Sequence, residues 1–365
     1  MDPTAHGGKA DEAFHVVIPS LPGFGFSDKP TETGWRLPRI ANAWAALMAR
    51  LGYSHYVAQG GDWGAGVSSW MAKQRPSGLA AIHLNLPVLF PPPPPPPGGY
   101  AAEEQAVLAQ LGKYASDGQA YAAIQGTRPQ TLGYGLADSP VGQAMWIYEK
   151  FQAWSDNKGD PAEAISVDHM LDDISLYWLT DTAASSARVY FESFAKDFAR
   201  MPIDLPVAVS IFKGDFFVPP KVWGDQTYSK LFYWNEVPKG GHFAAFEQPE
   251  LFVAELRKLR SDALTGGQQR RGTRELSQGR YSGRYRVKNS SRAACESDSC
   301  QFSAGPELRG RVLIVRGARL QCSRAAPLFS SRRPLWRLRQ SWPKLRRWTR
   351  RAGIHCRRTT KTGNS

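Results

Sequence analysis

The sequence predicts an α/β fold, a mostly parallel sheet covered by helices and interrupted by a helical insertion. Three observations carry this. Short apolar runs alternate with stretches of helical periodicity, once from Phe14 to Leu86 and again from Leu205 to Arg260. Between them, residues 100–200 are helical in pattern with few β runs. The run Gly60-Gly61-Asp62-Trp63-Gly64 also joins a short strand to a helix through a glycine-flanked acid.

Each element follows from local chemistry. Phe14 to Pro19 is apolar and β-branched, a short buried strand, and it enters the Gly/Pro-punctuated loop Ser20 to Ser27. Ile40, Trp44, Leu47, Met48 and Leu51 recur at helical spacing, and Gly52 supplies a stop. Tyr56 to Gln59 is a second strand, residues 65–75 form the next helix, and Ala81 to Leu86 is a third strand. Seven prolines, Pro91 to Pro97, favour an extended linker. Strands return at Leu205–Phe212 and Phe232–Val237. The helix Pro249–Arg260 closes the pattern, with Leu251, Phe252, Leu256 and Leu259 on one side. The expected organisation is therefore residues 1–90 and 201–261 as the two parts of one core, 91–200 as a helical cap with its polyproline linker, and 262–365 as a tail.

The tail differs in kind. Residues 262–365 hold 25 Lys+Arg against 5 Asp+Glu, a net of +20 that leaves the first 261 residues at −6. The basic balance of the whole chain is thus no argument for nucleic acid as a partner of the body. All four cysteines (Cys295, Cys300, Cys322, Cys356) also lie in the tail, without metal-site spacing. The tail's Arg/Ser/Cys/Trp-rich composition reads as translation in a non-native frame, with an arginine-rich nucleic-acid contact as the alternative. Under either reading it is expected to be disordered apart from a short strand at Val312–Val315. The opening Met1-Asp2-Pro3-Thr4 has no apolar signal region, and no stretch approaches the roughly 18–20 apolar residues of a membrane span. The default expectation is a cytoplasmic protein, with a homodimer left open.

The glycine-flanked acid points to chemistry. Small-x-nucleophile-x-small between strand and helix is the nucleophile elbow, with Asp in place of Ser. A carboxylate is already ionised, so it attacks a strained or good-leaving-group carbon directly and forms an ester. On the pentapeptide alone, Asp62 reads equally well as a helix cap. Asp215, after the strand ending at Phe212, and His242, in Gly240-Gly241-His242-Phe243, shift the balance. Nucleophile, acid, His is the chain order of α/β-hydrolases. His242 would activate water against the ester, and Asp215 would orient it.

With these residues in place, the sequence resembles the microsomal-type epoxide hydrolases. The matching segments are FHVVIPSLPGFGFSDKP (14–30), YVAQGGDWG (56–64), ADSPVGQAMWIYEKFQAW (137–154), ISLYWLTDTAASSARVYFE (174–192) and KGGHFAAFEQPELF (239–252). The resemblance implies an α/β-hydrolase fold with Asp62 as nucleophile, Asp215 as acid and His242 as base. The family's acid is usually Glu, so Asp215 is shorter by one methylene. It further implies that Tyr190 and Tyr121 hydrogen-bond the epoxide oxygen and that Trp63 lies at the oxyanion or substrate site. The substrates would be a small hydrophobic epoxide and water, with no metal or organic cofactor. The family's His-Gly-Trp-Pro loop, which supplies an oxyanion donor, does not occur among these 365 residues. The strand that bears it would sit between the strands at 14–18 and 56–59. The sequence therefore reads as N-terminally truncated, and a gap with unpaired backbone is expected at that place in the sheet. Two rival readings stay open. One is a haloalkane dehalogenase-like hydrolase, with Trp63 as a halide donor; the other is an inactive fragment with a nucleic-acid-binding tail.

Overall fold

The apolar runs assemble into one six-stranded sheet in the computed structural model, which describes residues 2–91, 93, 95–263 and 312–314. The strands are β1 (His15–Val17), β2 (Tyr56–Gly60), β3 (Leu79–Leu84), β4 (Val207–Phe212), β5 (Leu231–Val237) and β6 (Val312–Ile314). Their spatial order is β1-β6-β2-β3-β4-β5, and every pairing is parallel. All strands therefore end at the same edge, where α/β sheets hold their ligands.

Helices α1 (Leu37–Arg50), α2 (Trp63–Gln74), α9 (Lys221–Thr227), α10 (Ala244–Glu247) and α11 (Pro249–Ala263) belong to the alternating part. Helices α3 (Ala102–Lys113), α4 (Ala120–Thr127), α5 (Pro129–Asp138), α6 (Pro140–Trp154), α7 (Val167–Thr180) and α8 (Ala183–Asp197) form the insertion. Gly52 adopts φ 81° after α1, the left-handed stop its position suggested. Ser139 accepts from Gly142 N at 3.0 Å and so caps α6, with Pro140 in its first turn.

Both faces of the sheet are covered, as its pattern requires. Tyr56, Ala58, Ile82, Leu84, Val207 and Val209 point into one core with α1 and α2. Their neighbours Val57, Ala81, Ala208 and Phe212 point to the other face, against Phe252, Leu256 and Leu259 of α11. Leu251 is 37% exposed, so the expected apolar side of α11 lacks it. Its neighbour Phe252 is buried, and Leu251 lies about 100° round the helix from the Phe252-Leu256-Leu259 stripe. A buried polar chain also ties α11 to the sheet. Ser210 Oγ donates to Glu255 Oε2 at 2.6 Å and lies 2.9 Å from His83 Nε2, while Tyr233 Oη donates to the same carboxylate oxygen at 2.9 Å. Burial pushes His83 down to about 3, which keeps it neutral.

The expected gap in the sheet is corrected. β6 occupies the slot between β1 and β2, with Val312 beside His15 and Tyr56, and Ile314 beside Val17 and Ala58. Three consecutive apolar residues supply backbone donors and acceptors to both flanking strands at once, which removes the two edges a gap would expose. The short strand anticipated at Val312–Val315 is thus found over Val312–Ile314. The remaining tail residues, 264–311 and 315–365, to which the expectations of disorder and nucleic-acid binding apply, lie outside the described residues.

Candidate active site

The carboxyl edge of the sheet brings together three side chains separated by up to 180 residues. Asp62 follows β2 directly and has φ 50° and ψ −126°, a strained backbone for a non-glycine residue. The glycines beside it are sterically required. A Cβ on Gly60 would lie 2.1 Å from the Gly64 carbonyl carbon, and one on Gly61 would lie 2.6 Å from the Asn85 amide. Asn85 is itself fixed, accepting from Gln59 Nε2 at 2.8 Å. The turn therefore presents Asp62 at the start of α2, where the helix dipole favours a carboxylate.

The cap reading of Asp62 holds only in part. Its Oδ1 accepts from Trp63 N, the first helical residue, whereas a helix cap ordinarily serves the second or third N–H. The other oxygen, Oδ2, lies 3.1 Å from His242 Nε2. The Asp62 side chain is 35% exposed, so the carboxylate is reachable.

His242 sits in the turn between β5 and α10. Its backbone N–H donates to Trp154 O at 2.9 Å, which ties the loop to the end of α6. Glu247 clamps the loop from below, accepting from Gly241 N at 2.8 Å and from Phe243 N at 2.9 Å. His242 Nδ1 lies 3.1 Å from Asp215 Oδ1, which also accepts from Phe216 N at 2.8 Å. The imidazole thus spans two carboxylates. Burial opposes its charge, but Asp215 and Asp62 outweigh that and raise it to about 10. Burial pushes the Asp215 carboxyl up, against the pull of His242. The one-methylene difference from Glu does not prevent contact, since Asp215 reaches the ring.

Both tyrosines singled out from the sequence face this group from the helical insertion. Tyr190, on α8, packs edge-on against Trp63 with ring centroids 4.7 Å apart. Tyr121, on α4, meets Tyr190 edge-on at 5.7 Å. Burial, together with the negative charge of Asp62, raises both phenols far above the ordinary tyrosine range, so both remain protonated donors. The Trp63 indole is buried against Tyr190 and Phe198, while its backbone N–H meets Asp62.

Several neighbours were not singled out from the sequence. Tyr114 donates to the Tyr121 hydroxyl at 3.5 Å and stacks on Phe216, the residue after Asp215. Trp154 packs against both His242 and Tyr121, and Lys150 lies over the Tyr121 ring. Lys150 and Trp154 fall inside the matched segment 137–154, and Glu247 falls inside 239–252, but no local pattern in the chain marks them. An open cleft lined by Pro22, Asp28, Lys29, Trp35 and Arg39 contains none of these groups and stands apart from the site. Among the described residues, no helix is long and apolar enough to cross a membrane.

Comparison with known proteins agrees with this architecture. Residues 8–249 match the model of the alpha/beta hydrolase fold family. The chain is 63% identical over 257 residues to a Stigmatella aurantiaca protein whose name provisionally assigns it to the epoxide hydrolases, covering 70% of this chain and 58% of that one. It is 33% identical over 282 residues to epoxide hydrolase 1 of Sus scrofa, covering 71% of this chain and 62% of that protein. The structure of Aspergillus niger epoxide hydrolase superposes with a TM-score of 0.60 at 32% identity, over 67% of this chain and 63% of that one. The chain therefore spans about three-fifths of the length of the curated relatives it matches. Parallel sheet, elbow, chain order and family match agree: this chain belongs to the alpha/beta hydrolase fold family.

Proposed function

We propose that this chain hydrolyses a small hydrophobic epoxide to a vicinal diol through an ester on Asp62. The observation that carries the reading is the position of His242, with one ring nitrogen 3.1 Å from Asp62 and the other 3.1 Å from Asp215. Similarity to the epoxide hydrolases named above supports the substrate class.

The proposed cycle closes in protons. At rest Asp62 is ionised, His242 is an imidazolium and the tyrosines are phenols. An Asp62 oxygen attacks an epoxide carbon while Tyr190 and Tyr121, as cap residues, donate to the departing oxygen. One phenol gives up its proton, leaving an ester, a hydroxyl and a phenolate. Esterification removes the Asp62 charge, which was one of the two supports of the imidazolium. His242 then yields its proton through solvent to the phenolate and becomes a neutral base. It next takes a proton from water, and the hydroxide attacks the Asp62 carboxyl carbon. The carboxyl oxygen facing Trp63 N–H collects the negative charge, so that backbone group serves as an oxyanion donor. Collapse of the adduct breaks the ester C–O bond with its electron pair on the alkyl oxygen. The proton still carried by the added oxygen passes to that alkoxide, so the diol leaves with Asp62 ionised and His242 an imidazolium.

The test is styrene oxide turnover in ¹⁸O-labelled water. Wild type is expected to form diol and to carry label into the Asp62 carboxylate, seen as a heavier peptide by mass spectrometry. Asp62→Asn is expected to be inactive. Equal rates for wild type and this variant, or label excluded from Asp62, would overturn the proposal. The dehalogenase reading gains no support from the comparisons, and the Trp63 indole it requires is buried against Tyr190 and Phe198.

A further inference from the structure

The phenols of this site are poorly placed to lose a proton. Tyr121 is packed among Tyr190, Trp154 and Tyr114, and it faces the negative charge of Asp62. Burial and a nearby anion both oppose a phenolate there. A tyrosine that protonates an opening epoxide must nevertheless become a phenolate in the same step. Some group has to favour that charge.

One cation is positioned to do so. Lys150 lies on α6, one turn before Trp154, and its side chain is only 15% exposed. Its Nζ stands 4.1 Å from the centroid of the Tyr121 ring and 5.0 Å from that of Trp154. Its carboxylate neighbour is Glu149, 2.7 Å away and 55% exposed, on the solvent side of the pair. A cation over an aromatic face is attracted by the ring quadrupole, and the attraction grows when water is excluded. It grows further when the ring itself acquires negative charge, because part of the phenolate charge is spread over the ring carbons facing the ammonium. A cation in this place therefore stabilises the phenolate more than the phenol, which is differential binding of the transition state.

We propose that Lys150 activates Tyr121 as the proton donor of ring opening, making Tyr121 rather than Tyr190 the phenol that gives up its proton. This rests on the epoxide-hydrolase reading. In the step, the bond from an Asp62 oxygen to the epoxide carbon forms and the ring C–O bond breaks with its electron pair on oxygen. The Tyr121 proton moves to that oxygen and leaves a phenolate beneath the Lys150 ammonium. The phenolate regains its proton from the His242 imidazolium, as above. Lys150 touches neither the substrate nor the reacting atoms; it is a positioning residue that acts through Tyr121. The groups that set the proton affinity of Tyr121 are then Lys150 on α6, Asp62 at the elbow, Tyr190 on α8, and Tyr114 immediately after α3.

The experiment separates ester formation from ester hydrolysis by single-turnover measurement with styrene oxide. Lys150→Met keeps the packing of the stem and removes the charge. It is expected to slow ester formation about tenfold and to leave ester hydrolysis unchanged. Lys150→Arg is expected to restore most of the rate. In a Tyr121→Phe background, Lys150→Met is expected to have no further effect. Lys150→Gln serves as a second neutral variant if Lys150→Met does not fold. The proposal is overturned if the neutral variants form ester at the wild-type rate, if they slow both steps alike, or if they slow the Tyr121→Phe enzyme by the same factor. Failure of the functional reading is distinct: wild type itself would then form no ester on Asp62, and both proposals would fall together.

Discussion

At the scale of single residues, His242 is governed by the two carboxylates it spans. Its raised proton affinity makes it an imidazolium at neutral pH, a form unable to act as a base. Esterification of Asp62 would remove one carboxylate and thereby switch the role of the ring, which couples base activation to completion of the first step. The same coupling has a stability signature. An unfolded histidine titrates near about pH 6.5. The folded value of about 10 lies above it, so the folded state holds the proton more tightly. Stability from this source is fully present below the unfolded value and is lost as pH rises through the folded one. The Tm advantage of wild type over His242→Gln is therefore expected to be largest in mild acid and to shrink steadily towards about pH 10. Thermal unfolding of both proteins across this range checks the sign. An advantage that widens with rising pH would contradict the ion-paired description of the ring.

At the scale of elements, the elbow shows what a sequence can and cannot announce. Gly60 and Gly64 are visible as a pattern because the clash they avoid is local: a Cβ at residue 60 meets the carbonyl of residue 64. Gly60→Ala is accordingly expected to cost about 3 kcal/mol, since the obstacle is backbone that cannot rotate aside. That corresponds to a fall in Tm of roughly 6–12 °C for a core of this size, measurable by calorimetry. An unchanged Tm would mean that the turn relaxes freely. Strands β2 to β5, the helical insertion and the loops bearing Asp215 and His242 were legible for the same reason, because apolar period and glycine placement are short-range signals. Glu247 was not. Its partners are backbone N–H groups on either side of His242, and nothing in a sequence marks an acid that stitches a loop. Lys150 and Trp154 were hidden differently: they lie on α6, and their contacts with Tyr121 on α4 exist only in the assembled fold. Leu251 shows that apolar character alone does not assign a face: the helical period sets Phe252, Leu256 and Leu259 on one stripe and Leu251 about 100° from it.

At the scale of the whole molecule, the sheet depends on a segment remote in sequence from its neighbours. β6 stands between β1 and β2, although α11 ends at Ala263 and β6 begins only at Val312. Apolar composition alone suggested a strand at this point, but its pairing could not be read, because parallel partners carry no local signature. The consequence bears on the candidate site directly. β2 carries Asp62 at its end and is held by β3 on one side and by β6 on the other. Leu313→Pro removes a backbone donor from the middle of β6 and places a ring where a central ladder does not tolerate one. Backbone groups left unsatisfied between two paired strands cost on the order of 1–3 kcal/mol each, so a loss of Tm of several degrees is expected. The more specific outcome concerns amide exchange followed by mass spectrometry. Protection is expected to fall in residues 15–17 and 56–60 and to persist in 207–212 and 231–237, where β4 and β5 pair with each other. Leu313→Val keeps the donor and is expected to behave as wild type. If Leu313→Pro leaves exchange at residues 15–17 unchanged, β1 is not held by β6. If exchange rises there while Asp62 still takes up label from ¹⁸O water at the wild-type rate, β6 supports the sheet without positioning the nucleophile.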